Sequence, residues 1–210
     1  MARENILHRA RTALSRSVGQ PPPPPPEARL RIPEVPTEDR IRDLFAAASK
    51  LAGKTCLAGS PAAACAYVAQ LTGDRTAVAS NAPFLRECGI TALPSVRSGI
   101  TDREELRNAC ASADVGITSA DYALADTGTL VLFSSAEEAR MVSLLPPVHV
   151  ALVPRDRILT GLDELLTLMP APADRSSSMV LITGPSRTAD IEQILVRGVH
   201  GPGEIHIVVV

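Results

Sequence analysis

The feature that most restricts the fold of this chain is a set of short runs that are almost wholly apolar instead of apolar at alternate positions. They are Thr55–Ala58, Thr76–Ala79, Leu130–Phe133, Val148–Val153, Met179–Ile182 and Ile205–Val210. A strand with one wet face alternates polar and apolar residues, whereas a strand covered on both faces does not need to. Helical spacing fills the intervals. Thr37 opens a helix through Leu44, Phe45 and Ala48 to about Leu51. Ser60, with Pro61 in the first turn, caps a second that runs to Leu71. Thr101 and Glu104 form a capping box for a third, ending near Ala111. A short helix is expected near Phe84, and longer ones over Ala136–Leu145 and Asp163–Met169, with a polar loop over Pro170–Ser178. A further strand is expected at Val115–Thr118. Strands and helices in alternation, with the strands buried on both faces, predict an α/β, three-layer sandwich around a mostly parallel sheet.

Composition then excludes several classes of function. There is no Trp and only 2% of the residues are aromatic, so the core of this 210-residue chain is aliphatic. The formal charge is −2 with the two signs interspersed. Neither a basic footprint nor a set of stacking platforms for nucleic acid is present. Cys56, Cys65, Cys88 and Cys110 lack the close spacing of zinc or iron–sulfur ligands and read as reduced and structural. No metal site and no cofactor motif is legible. No secretory leader and no run of membrane-spanning length is seen, so a cytosolic protein is expected.

Residues 1–36 read as an arm and residues 37–210 as the compact domain. Met1–Gln20 suggests a short helix with Ile6, Leu7, Ala10 and Leu14 on one face and Arg3, Arg9, Arg11 and Arg16 around it. Pro21–Pro26 is a stiff spacer. Such a helix is expected to pack on its own globule or on a second copy, which makes the arm a candidate for homo-oligomerisation.

Three segments carry candidate chemistry. Thr183-Gly-Pro-Ser-Arg-Thr-Ala-Asp-Ile-Glu-Gln succeeds the Met179–Ile182 run and reads as strand, tight loop, helix start, with Ile191, Ile194 and Leu195 as the helix's apolar face. Gly184 permits a sharp turn and Pro185 stiffens it. Ser186, Thr188 or Asp190 is placed to cap the helix. Helix-start amides, hydroxyls and the Arg187 guanidinium would suit a carboxylate or phosphate. The plainer account is that they only close a helix end.

In Gly116–Leu130, Asp121 and Asp126 flank a short apolar turn, and Thr118, Thr127 and Thr129 are placed to hold either carboxylate ionised. Gly128 turns the chain into the Leu130 strand. Asp126 serves either as a functional carboxylate or as an Asx-turn closing a loop. The letters Asp126-Thr-Gly also occur in aspartic-protease loops, but those need a second such loop in an all-β body. His200, between glycines, is a candidate general base. It reaches Arg187 only if the final strand runs antiparallel or the chain doubles back across its glycines. His149 and His206 read as core or edge histidines.

Together these segments carry a resemblance. Gly116-Ile-Thr-Ser-Ala-Asp, Ala125-Asp-Thr-Gly-Thr, Arg140 with Leu145-Pro-Pro-Val-His, Gly184-Pro-Ser-Arg-Thr-Ala-Asp-Ile-Glu and Gly198-Val-His-Gly-Pro resemble the LUD domain of the lactate-utilisation protein C family over about Thr37–Val210. The resemblance implies a fold similar to ribose-5-phosphate isomerase, glucosamine-6-phosphate deaminase and the CoA-transferases. It also implies a part in oxidising L-lactate to pyruvate beside iron–sulfur proteins. The family pattern has Glu where this chain has Asp126, one methylene shorter. That departure bears on a carboxylate that must reach a substrate and not on one that orders a turn.

Three functions compete on this reading. The first is a non-redox component of a lactate-oxidising system that binds a small anion at the Arg187 loop, since removing two electrons needs a carrier this chain does not display. There Arg187 would clamp the carboxylate and Asp126 or His200 would accept the proton. The second is a stand-alone transferase or sugar-phosphate-type enzyme with Asp126 as nucleophile. The third is a scaffold with a relic pocket.

Overall fold

The structure is a computed structural model that describes residues 2–21, 32–188 and 196–210. Its contacts divide the chain into residues 1–31 and residues 32–210. In the first unit α1 spans Ala2–Ala13, shorter than the expected helix to Gln20, because the chain breaks into turns with Ser15 at φ 52°. The proline run beyond Pro21 lies outside the described residues.

The second unit begins its regular structure with α2 (Thr37–Lys50), β1 (Lys54–Leu57), α3 (Pro61–Thr72), β2 (Ala77–Ala79) and α4 (Pro83–Glu87). Next come β3 (Val96–Arg97), α5 (Arg103–Ser112), β4 (Val115–Ser119), β5 (Tyr122–Leu124) and β6 (Thr129–Phe133). The chain continues through α6 (Arg140–Leu144), β7 (Val148–Val153), β8 (Ile158–Leu159), α7 (Leu162–Leu168) and α8 (Pro172–Arg175). It closes with β9 (Met179–Ile182), β10 (Arg187–Thr188), β11 (Val196–Arg197) and β12 (Glu204–Val209).

Six strands form a parallel sheet in the order β1-β12-β7-β4-β2-β3. Its continuously buried strands β4, β7 and β12 are covered on both faces, which is why their sequences do not alternate. On one face Val115, Ile117, Val150, Leu152 and Val208 pack with Ala64 and Val68 of α3 and Leu85 of α4. On the other, Ala151, Val153, Ile205, Ile207 and Val209 meet Ile41, Leu44 and Ala48 of α2. Val78, with Ala109 and Cys110 of α5 and Val142 of α6, extends that second face. The α/β architecture with helices on both faces of a parallel sheet is therefore as the apolar runs predict.

The second face also holds something the runs do not foretell. β6 and β9, expected in the main sheet, belong to a four-stranded sheet ordered β8-β5-β6-β9, in which β6 is antiparallel to both neighbours. The cause is local: β5 comes almost directly after β4, and the Asp126–Gly128 turn reverses the chain with Gly128 at φ 69°.

Local signals fare unevenly. Ser60 Oγ accepts the Ala63 N–H at 3.2 Å, as its sequence position predicts. The cap of α5 is Asp102 and not Thr101, with its Oδ1 accepting the Glu105 N–H at 2.8 Å. The helix expected over Ala136–Leu145 is confined to α6, and the loop expected over Pro170–Ser178 contains the single turn α8. All four cysteines are free, and burial pushes the Cys88 and Cys110 thiols up to about 11.

Candidate functional site

The two motif segments lie against the same support, the C-terminal end of α2. A Cβ on Gly128 would fall 2.5 Å from the Ala48 amide nitrogen, so only glycine lets the Thr127–Thr129 bend touch the helix backbone. Gly184, at φ 80°, comes down beside Leu51, where an added Cβ would lie 3.0 Å from the Leu51 Cβ. The Arg187 side chain donates to the Leu51 carbonyl, one of the acceptors a helix C-terminus leaves open. A threonine chain joins bend to loop. Thr127 Oγ1 donates to Asp126 Oδ1 at 3.0 Å and accepts from Thr129 at 2.8 Å, and Thr129 shares a 2.8 Å hydrogen bond with Thr183.

No helix starts at Ser186, contrary to the expectation from the sequence. Arg187 and Thr188 are extended and pair antiparallel with Arg197 and Val196. Ser186 is therefore no helix cap. Its amide donates to the Pro202 carbonyl at 2.8 Å, its carbonyl accepts the Gly198 N–H at 3.0 Å, and its Oγ accepts the His200 N–H at 3.3 Å. Asp190 and the expected helix face Ile191, Ile194 and Leu195 lie outside the described residues. The antiparallel pairing returns the chain so that the His200 amide meets Ser186, while the Arg187 side chain is turned to Leu51 and β12 stays parallel in the main sheet.

These contacts wall a cleft of about 190 Å³ lined by Gly184, Ser186, His200 and Pro202 on one side and Arg140 and Ser143 of α6 on the other. Pro185 is buried beneath the loop, and His200 is exposed at the cleft's edge. Arg187 and Asp126 are not among the lining residues. In the sequence Arg140 stands only as part of a motif, because nothing local marks which arginine faces a cleft.

The acidic pair is held only in part as the hydroxyl pattern suggests: Thr127 bonds Asp126, but Thr118 and Asp121 are engaged elsewhere. Thr118 is buried and its Oγ1 lies 2.8 Å from His149 Nε2, so it holds neither carboxylate. Full burial drives the His149 pKa down to about 4, which keeps that ring neutral inside the sheet. Asp121 accepts the Phe133 N–H at 2.8 Å and pairs with Arg175, well away from the bend. Asp126 sits exposed, its amide donating to the Thr160 carbonyl at 3.1 Å and its carboxylate against Gly161. At the N-terminal edge of the sheet, Lys54, Glu204, His206 and Tyr67 form a closed polar chain with contacts of 2.6–2.7 Å. Each of the four finds its partner within that chain.

Comparison with known proteins identifies the family and the fold. The sequence model of the LUD domain matches residues 41–210. A lactate utilization protein C from Halalkalibacterium halodurans is 43% identical over 106 residues, covering 49% of this chain and 46% of that protein. One from Bacillus subtilis is 44% identical over 94 residues, covering 43% of this chain and 39% of that protein. The matched segment thus spans less than half the length of either relative. A crystal structure of a DUF162 family protein from Deinococcus radiodurans superposes with a TM-score of 0.64 at 18% identity, covering 84% of this chain and 99% of that one. At that identity the match concerns the fold alone.

Proposed function

The chain belongs to the LUD-domain family, and on that premise we propose that it serves lactate utilisation by binding a small hydroxy or oxo acid at the Gly184–Arg187 loop. One observation carries this reading. The Gly184 and Gly198 motif segments close on each other through Ser186 and face Arg140 across a cleft small enough for a short-chain acid. Ser186, Arg140 and the imidazole of His200 offer the ligand donors, and Arg187 lies next along the same loop. A carboxylate there meets a guanidinium and hydroxyl donors. The hydroxyl or keto oxygen then falls to the His200 side. In this role the chain is the non-redox component of an iron–sulfur-dependent system, and electron transfer belongs to its partners.

Titration calorimetry with L-lactate and pyruvate tests the binding. A charge-assisted hydrogen bond is worth ~1.5–3 kcal/mol, so Arg140→Ala should weaken binding by roughly ten- to hundredfold, and Arg187→Ala should weaken it less, through the loop that its side chain ties to the Leu51 carbonyl. Unchanged affinity in a variant removes that arginine from the site, and unchanged affinity in both removes the proposal.

A further inference from the structure

A different carboxyl sits in the loop that precedes α6. The loop between β6 and α6 is tied down by its own backbone. The Ser135 amide donates to the Glu138 carbonyl at 3.1 Å, the Glu138 amide to Ser135 Oγ at 2.9 Å, and the Asn81 amide to the Glu137 carbonyl at 2.8 Å. This sets the Glu138 side chain across the C-terminal ends of β2 and β4. There Oε2 accepts Ser80 Oγ–H at 2.8 Å and the Ser119 N–H at 3.1 Å. The residue is only 7% exposed, and Oε1 is buried with no partner among the described residues. Orphaned buried polar atoms are uncommon in folded proteins and each asks for an explanation; of those found among the described residues, His149 Nδ1, Thr160 Oγ1 and Glu138 Oε1, only Glu138 belongs to a residue that lines this cleft.

Glu138 lines a cleft of about 370 Å³ between the two sheets, with Phe84 and Phe133 as apolar walls and Ser119 and Ser134 beside it. Burial, aided by the Asp121 charge, pushes the Glu138 carboxyl up to about 8, so it is protonated at neutral pH. With Oε2 already accepting two hydrogen bonds, the proton belongs on Oε1, and the group the cleft lacks is an acceptor for it. The charges around it limit what that acceptor is. Asp121 is paired with Arg175 of α8, and Glu137 adds a negative charge on the loop itself. An anion would meet carboxylates, while Arg175, the one cation among the described residues that line the cleft, already has its counter-ion. A cation would have to draw off the proton that burial retains.

We propose that this cleft is a second ligand site, separate from the Gly184–Arg187 loop, for a small uncharged molecule whose carbonyl oxygen accepts a hydrogen bond from Glu138. The site does not depend on the hydroxy-acid reading, because the two clefts share no lining residue.

The Ser119 amide reports on the carboxyl directly, since it donates to Oε2. In a ¹⁵N-labelled sample of the full chain, the Ser119 amide signal should titrate with a midpoint near pH 8. Saturating acetamide should move that midpoint upward, because an acceptor binds only the protonated form. L-lactate and methylammonium should leave it in place. Glu138→Gln should abolish the titration, and the wild-type experiment stands without that variant if it fails to fold. A Ser119 midpoint in the ordinary carboxylate range overturns the proposal. So does a midpoint that acetamide leaves unmoved, one that lactate shifts as far, or one that methylammonium drives down.

Discussion

Raising the pH from 6.5 to 8 should cost the wild-type protein roughly 1–2 kcal/mol of stability, and the Glu138→Gln variant should not show this loss. The folded carboxyl is raised from its ordinary 4.5 to about 8. Between those values the folded chain keeps a proton that the unfolded chain has released, so each step up in pH favours unfolding. Below pH 6.5 the trend is masked. His149, lowered to about 4, and His206, also lowered, are protonated in the unfolded chain first and act in the opposite sense. The carboxyls held low by their partners, Asp114, Glu164 and Glu204, act at lower pH still. From 6.5 to 8 the two histidines offset only part of the loss, and they do so equally in wild type and variant, so the difference between the two isolates Glu138, whose facing charges are Asp121, Glu137 and Arg175. Glutamine preserves the acceptor for Ser80 and Ser119 and removes the titration. Urea unfolding at both pH values decides it. Parallel falls in wild type and variant would show that Glu138 ionises without penalty.

Gly116→Ala should be among the most damaging conservative changes in the chain, destabilising it by about 3 kcal/mol or more and lowering the melting temperature by roughly 10 °C. Gly116 lies in mid-strand in β4, opposite His149. A Cβ there would fall 2.0 Å from the Val142 carbonyl oxygen and 3.0 Å from Pro146 Cγ. The first of these is backbone and has no rotamer by which to escape, so α6 itself must lift. Because α6 carries Arg140 and Ser143, the same change should also loosen the Ser186–His200 cleft. A scanning-calorimetry midpoint within a degree or two of wild type would contradict the close seating of α6 on the sheet.

How legible each residue is in the sequence depends on how far its partner lies along the chain. Ser60 caps α3 through Ala63, and Pro147 precedes β7, so local reading suffices for both. Doubly covered strands declare themselves by lacking alternation, and β4, β7 and β12 are recognisable in that way. The Ala136–Ala139 stretch has helical composition, yet its groups bond to Asn81, Ser80 and Ser119, far upstream. Tertiary contacts override propensity there, and Glu138, one of a Glu–Glu pair, carries the local signature of solvated surface. The Arg187 segment is misleading for a related reason. Its strand partner, Val196–Arg197, lies further along the chain, and no local signal announces the pairing. Of the candidate site, the loop, the threonine bend and His200 are marked by motif. The coupling of Ser186 to His200 and the facing Arg140 emerge only from the fold.

The most direct test of the account is a ¹H–¹⁵N titration of the full chain with L-lactate. The amides of Ser186, Arg187, Gly198, His200 and Gly201 should shift together and saturate, while Ser119 and Glu138 stay still. Saturable shifts centred on Ser119 and Glu138, or none at the Ser186–His200 turn at saturating lactate, would contradict it.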